Sequence, residues 1–81
     1  MNKTTFYLEL EELLELPKGT LRGDQLLDNV AEWDSLAVIS FIALADSKYG
    51  VILQPKRLET CETVDDLALS IEEHEKRVDT E

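Results

Sequence analysis

The sequence predicts an all-α fold: a small bundle of three long helices and one short helix. Three observations carry this. Apolar residues recur at helical spacing in three separate segments, beginning with Phe6, Leu10, Leu13 and Leu14. Proline and glycine stand between those segments, at Pro17, Gly19, Gly50 and Pro55, where helices stop or start. No run alternates apolar and polar residues as a half-buried strand would, and Val51-Ile52-Leu53 is too short and isolated. The 81 residues make one domain with one small core, and leave no room for a separate catalytic domain. There is no internal repeat and no low-complexity tract.

Residues 5–16 read as the first helix, with Phe6, Leu10, Leu13 and Leu14 on its core stripe. Glu9, Glu11, Glu12 and Glu15 fall largely off that stripe and are expected to face solvent. Residues 17–34 form a long connection. A loop of this length needs anchors in a compact domain, and Leu21, Leu26, Leu27 and Val30 are expected to supply them. A short helical turn fits within residues 24–30.

The second helix covers residues 35–49 and ends at Gly50. It is unusually apolar, with no charge between Asp34 and Asp46. Val38, Phe41, Ile42, Ala45 and Tyr49 can face the core. Leu36, Ile39 and Ala43 then lie on a different side, with Ser40 near them. Either the helix is covered all round, or this second side meets partners or an attached chain. Val51, Ile52 and Leu53 are expected to seal the base of the core. Pro55 opens a short helix over about residues 55–61. Thr63 caps a last helix over about 63–77, with Asp65 and Asp66 in its first turn. Val64, Leu67, Ala68 and Ile71 are its stripe, Lys76 and Arg77 suit its end, and residues 79–81 should fray.

Composition narrows the function. Eighteen acidic residues against eight basic ones give a net charge of −10. That field keeps a small protein soluble, opposes nucleic acid and favours partners with basic patches. No apolar run approaches the roughly 20 residues of a membrane span. The N-terminal Met1-Asn2-Lys3-Thr4-Thr5 lacks a signal-peptide core. A cytoplasmic monomer is expected. Cys61 is the only cysteine, so it makes no internal disulfide and fits a reducing compartment. Cys61 and His74 are too few for a zinc site. Cys61 is expected to pack as a small hydrophobe and His74 to sit on a solvated helix face. Residues 24–32 lack the alternating oxygen ligands and central glycine of a calcium-binding loop. Gly19, Gly23 and Gly50 are scattered and form no phosphate loop. A serine hydrolase would need a histidine base, and His74 lies late in the last helix among acids. No catalytic residue is expected, and no enzymatic activity.

The most informative stretch is Glu32-Trp33-Asp34-Ser35-Leu36, at the end of the long connection. Asp and Ser are favoured helix N-caps, because a short side-chain oxygen can accept from free amides of the first turn. A helix start also directs unpaired amides and a positive dipole end outward, which suits a phosphate. A serine hydroxyl there could carry a covalent phosphoryl group in a favourable field.

Asp34-Ser35-Leu36 before an apolar helix resembles the modification site of acyl carrier and peptidyl carrier domains, in which Trp33-Asp34-Ser35-Leu36 also occurs. The length, acidity and helix order are similar as well, over nearly the whole chain from Thr5 to Arg77. The resemblance implies the carrier fold, a four-helix bundle with a long loop between helices one and two. It implies 4'-phosphopantetheine on Ser35, attached from coenzyme A and Mg²⁺ by a phosphopantetheinyl transferase. Asp34 would help at the helix start and Leu36 would contact the arm. The partners implied are acyl- or aminoacyl-loading and acyl-transfer enzymes, which would meet Leu36, Ile39, Ser40 and Ala43. The acyl chain would fold between the helices or stay exposed. One departure matters: fatty-acid carriers have several acids along this helix, whereas here Asp46 is the first after Asp34. Docking should rest more on apolar contact, which favours a dedicated carrier in a specialised lipid, polyketide or peptide-type pathway. The alternative is an unmodified interaction module.

Overall fold

Asn2 sets where the first helix begins. Its side chain accepts from the Thr5 amide at 3.1 Å, satisfying one of the amides that a helix start leaves open. In the computed structural model, which describes residues 2–79 and side chains as far as Glu73, α1 therefore spans Lys3–Leu13 rather than 5–16. The early end has a cause that Pro17 does not supply. Glu15 adopts a left-handed φ of 59°, and the amides of Leu16 and Glu15 return to the carbonyls of Glu11 and Glu12 at 2.8 and 3.1 Å. This closing pattern satisfies carbonyls of the last turn, and it usually employs glycine.

The stripe of α1 corrects the expectation at Glu11. Phe6 and Leu10 are fully buried and Leu14 nearly so, but Glu11 is buried too, at 2% exposure. Its Oε2 accepts from the Leu21 amide at 2.8 Å. Helical periodicity places Glu11 beside the stripe, and the returning loop covers it.

That loop is tied down along its length. Leu21, Leu27 and Val30 are buried anchors, while Leu26 is 48% exposed, against expectation. A 3₁₀ turn occupies Leu27–Asn29. Three backbone bonds join the loop to the entry of the last helix. Leu27 N–H donates to the Glu62 carbonyl at 2.8 Å, Val64 N–H to Gln25 at 3.0 Å, and Asp65 N–H to Gly23 at 2.9 Å. Leu26 and Thr63 form an isolated antiparallel bridge, and no strand occurs among the described residues. The bridge explains Leu26: its backbone, not its side chain, is the anchor.

The second helix, α2, spans Ser35–Tyr49, as the sequence predicts. Gly50 closes it with φ 65°, and its amide returns to the Asp46 carbonyl at 3.1 Å. α2 packs against each of the other three helices. Phe41 and Ala45 are fully buried, and Ala37 joins them in the core. Val38, Ile42, Leu44 and Tyr49 pack partly buried against that core. The outer side remains open, since Leu36 is 71% and Ile39 65% exposed.

Val51 and Leu53 are buried in the connection that follows, but Ile52 is exposed rather than sealing the core. An extended segment alternates its side chains, so the middle of the three points away. α3 spans Pro55–Glu59 with proline at its start, two residues shorter than expected. α4 spans Val64–Asp79. It continues past residue 77, so Asp79 is its last helical residue; the fraying expected at residues 80–81 lies outside the described residues. The side chains of His74, Lys76 and Arg77 lie outside the described residues as well.

Thr63 caps α4 reciprocally with Asp66. Thr63 Oγ1 accepts from the Asp66 amide at 3.2 Å, while Asp66 Oδ2 accepts from the Thr63 and Glu62 amides at 3.1 and 2.9 Å. Those two backbone amides hold the Asp66 carboxyl below the usual carboxylate range. Val64, Leu67, Ala68 and Ile71 are fully buried, as their spacing predicts.

Candidate functional site

Trp33 anchors the turn into α2. Its amide donates to the Val30 carbonyl at 2.9 Å. Its half-buried ring meets Phe41 edge-on, with centroids 5.8 Å apart. Asp34 follows in extended conformation, and its Oδ1 accepts from the Ala37 amide at 2.9 Å. The Asp34 carbonyl also accepts the Val38 amide at 3.0 Å. The predicted cap is therefore in place.

Ser35 is the first residue of α2 and is exposed. Its hydroxyl makes no hydrogen bond among the described residues, and the amides of Ser35 and Leu36 have no acceptor there. Two open amides and a helix start thus accompany an accessible hydroxyl, a favourable field for an attached phosphate.

A groove of about 620 Å³ begins at Ser35. It lies between α2 and α3 and is walled by Leu27, Val38, Ile39, Pro55 and Leu58. Trp33 and Cys61 also line it, as do the acids Asp28 and Glu59. Burial pushes the Cys61 thiol up, with Arg57 beside it pulling the other way. It behaves as the small hydrophobe expected, packed against the core.

On the other flank of α2, a shallower depression of about 340 Å³ includes Asp34, Leu36 and Ser40 together with Leu13, Leu14 and Glu32. The structure thus divides the expected partner face. Ile39 belongs to the larger groove, Leu36 and Ser40 to the smaller depression, and Ala43 is exposed further along. Ser40 is half-buried. Sequence reasoning did not find Asp28, Leu58, Glu59 or Cys61 as neighbours of Ser35. No local signal joins them, because they come from three separate elements. The one available hint was Trp33, the chain's only tryptophan, next to the cap.

Among the described residues, no group of three or more His, Cys, Asp or Glu could hold a metal ion. No helix among them is long and apolar enough to cross a membrane. Fold and site together define a small helical bundle with an exposed serine at the head of its central helix and an apolar groove beside it. No protein-family model matches the chain, and searches of curated proteins and of solved structures gave no match.

Proposed function

We propose that this chain is a carrier protein, modified with 4'-phosphopantetheine on Ser35 and bearing acyl or aminoacyl groups as thioesters. The observation that carries this is the junction of an exposed, unbonded Ser35 hydroxyl with a 620 Å³ apolar groove. The residues present fit such a group. Ser35 supplies the attachment atom, the open amides of Ser35 and Leu36 face the phosphate, and the groove accepts a flexible arm. When attached, the arm supplies a terminal thiol that forms and releases thioesters.

In the modification, Ser35 Oγ attacks the pantetheine-bearing phosphorus of coenzyme A. The bond from that phosphorus to the nucleotide's phosphate oxygen breaks, and 3',5'-adenosine bisphosphate leaves. The serine proton passes to a base of the transferase. Asp34 fixes the helix start so that the hydroxyl is presented at its first residue. The chain performs no catalysis in this scheme. Its partners are a phosphopantetheinyl transferase and the enzymes that load and remove cargo, in a specialised cytoplasmic lipid, polyketide or peptide-type pathway.

A second reading is favoured by the exposure of Leu36 and Ile39: an unmodified module whose central helix binds a protein. One experiment separates the two. Intact mass is measured after incubation with coenzyme A, Mg²⁺ and a broad-specificity transferase. The wild type should gain one phosphopantetheine, and Ser35→Ala should gain none while remaining folded. An unchanged wild-type mass with several transferases would sink the carrier reading in favour of the module.

A further inference from the structure

We infer that α3 is a hinged wall of the groove beside Ser35, latched shut by the ion pair between Arg57 and Glu73. This rests on the carrier reading for what enters the groove, whereas the latch belongs to the fold itself.

α3 supplies Pro55, Leu58 and Glu59 to the groove, and Cys61 follows on the same wall. It is a helix of five residues, and its N-cap, Gln54, makes no side-chain bond. The segment that leads into it is held by few bonds. Among the described residues, the amides of Ile52, Leu53 and Gln54 donate to no protein acceptor. Leu58 is the one buried residue of α3. A helix this short persists only through its tertiary contacts, so few bonds decide whether the wall stays in place.

Arg57 supplies the polar tie. Its Nη2 lies 2.5 Å from Glu73 Oε1 in α4. Its Nη1 donates to Thr60 Oγ1 at 3.1 Å and lies 4.0 Å from Cys61 Sγ. The guanidinium thus connects α4 to the residues that close α3. Among the described residues this is the one ion pair that joins α3 to another element. Leu58 anchors the wall from the core, but apolar contact has no preferred direction. With the pair broken, α3 can pivot on Leu58 and widen the groove while α2 and α4 stay folded. Both partners are partly exposed, so water and salt weaken the latch and the wall opens locally.

Native-state hydrogen exchange of the unmodified protein tests the latch. The amides of Leu58 to Cys61 should exchange faster than those of Leu67, Ala68 and Ile71. They should also respond less to low denaturant, because a local opening exposes little surface. Glu73→Gln should speed the α3 amides about two- to fivefold, the range that a partly exposed ion pair allows. In 1 M salt, where the Debye length is about 3 Å, the wild type should approach the variant. Cys61 is the only cysteine and lines the groove. Its alkylation by neutral iodoacetamide should rise by the same factor, after correction for thiol ionisation from each protein's pH profile. Glu12→Gln, the same change of charge at an exposed acid of α1, should leave both rates near wild type. α3 amides that exchange only together with those of α4, or that ignore Glu73→Gln, would overturn the inference. Faster α3 exchange with unchanged alkylation would overturn it too, since α3 would then move without opening the groove. The two proposals fail separately. An unchanged mass with the transferases removes the carrier reading and leaves the latch, and a modified protein whose α3 fails these measurements loses the latch alone.

Discussion

Asp34 holds the start of α2 with a single side-chain bond, and with Glu11 and Glu15 at the end of α1 it shows how differently acids can be used in one small chain. Asp34→Ala leaves the Ala37 amide without its acceptor. The expected cost is about 0.5–2 kcal/mol, read from denaturant unfolding. Slower phosphopantetheinylation of the same variant would extend its role to presenting Ser35, whereas a stability loss with normal modification would leave it a cap alone. Glu15 sits where glycine is usual, with a left-handed backbone that its side chain disfavours. Glu11 is buried, with Oε2 on the Leu21 amide and Oε1 without a hydrogen bond. Its contact fixes the loop against α1, a cross-link whose second half lies ten residues away.

At the scale of the element, α2 supplies core, cap and outer surface together. It contacts α1, α3 and α4, and Leu36 and Ile39 remain exposed on separate flanks. No acid lies between Asp34 and Asp46. Exposed charge contacts weaken as the Debye length falls to about 3 Å at 1 M salt, while apolar contacts survive or strengthen. Binding of the modified protein to a cognate loading enzyme should therefore change little from low to high salt. Ile39→Asp should weaken that binding about tenfold or more, as loss of a buried interface anchor does. Its helix content by circular dichroism should stay near wild type, since Ile39 is exposed in the free protein. Steep salt dependence with normal binding by Ile39→Asp would place docking on charged faces elsewhere.

Across the whole molecule, α1 and α4 are joined at a polar contact. Tyr7 donates to Asp65 Oδ1 at 2.5 Å, and Lys3 lies 3.7 Å from the same carboxylate. Gly23 passes so close that an added Cβ would come within 2.4 Å of Asp65 and 2.5 Å of Tyr7. A side chain there would have to displace the Asp65 carboxylate and the Tyr7 hydroxyl, so glycine leaves their contact undisturbed, with no special backbone angle involved. The hydrogen bond to Asp65, with burial and the acid's charge, pushes the Tyr7 phenol up from 10.0 to about 12. The folded state therefore favours the neutral phenol. Its contribution to stability is complete below pH 10, and is lost as pH rises toward 12. Denaturant unfolding over that interval should show a steeper decline for the wild type than for Tyr7→Phe. Ultraviolet titration should show the tyrosine transition near pH 12 vanish in the variant; parallel stability curves would contradict the coupling. Asp66 works in the opposite sense: its lowered carboxyl contributes above the usual carboxylate range and loses that contribution as pH falls through its folded value.

The radius of gyration, 11.9 Å, is about that of a compact chain of this length, and most of the plan behind it is local. Asp34, Gly50 and Thr63 mark helix ends through bonds to residues within a few positions, and Pro55 marks one through its fixed backbone angle; such signals are legible in the sequence alone. The stripes of α2 and α4 are legible for the same reason, because helical geometry alone brings their members together. The burial of Glu11, the outward turn of Leu26, and the fit of Gly23 against Asp65 depended on distant segments. The groove is the clearest case. Ser35 could be singled out from its neighbours in sequence, but Glu59 and Cys61 came to share its groove only when α3 packed on α2. Local bonding and periodicity determine where elements begin and which side they bury, whereas a cavity exists only between elements, so tertiary packing alone decides what lines it.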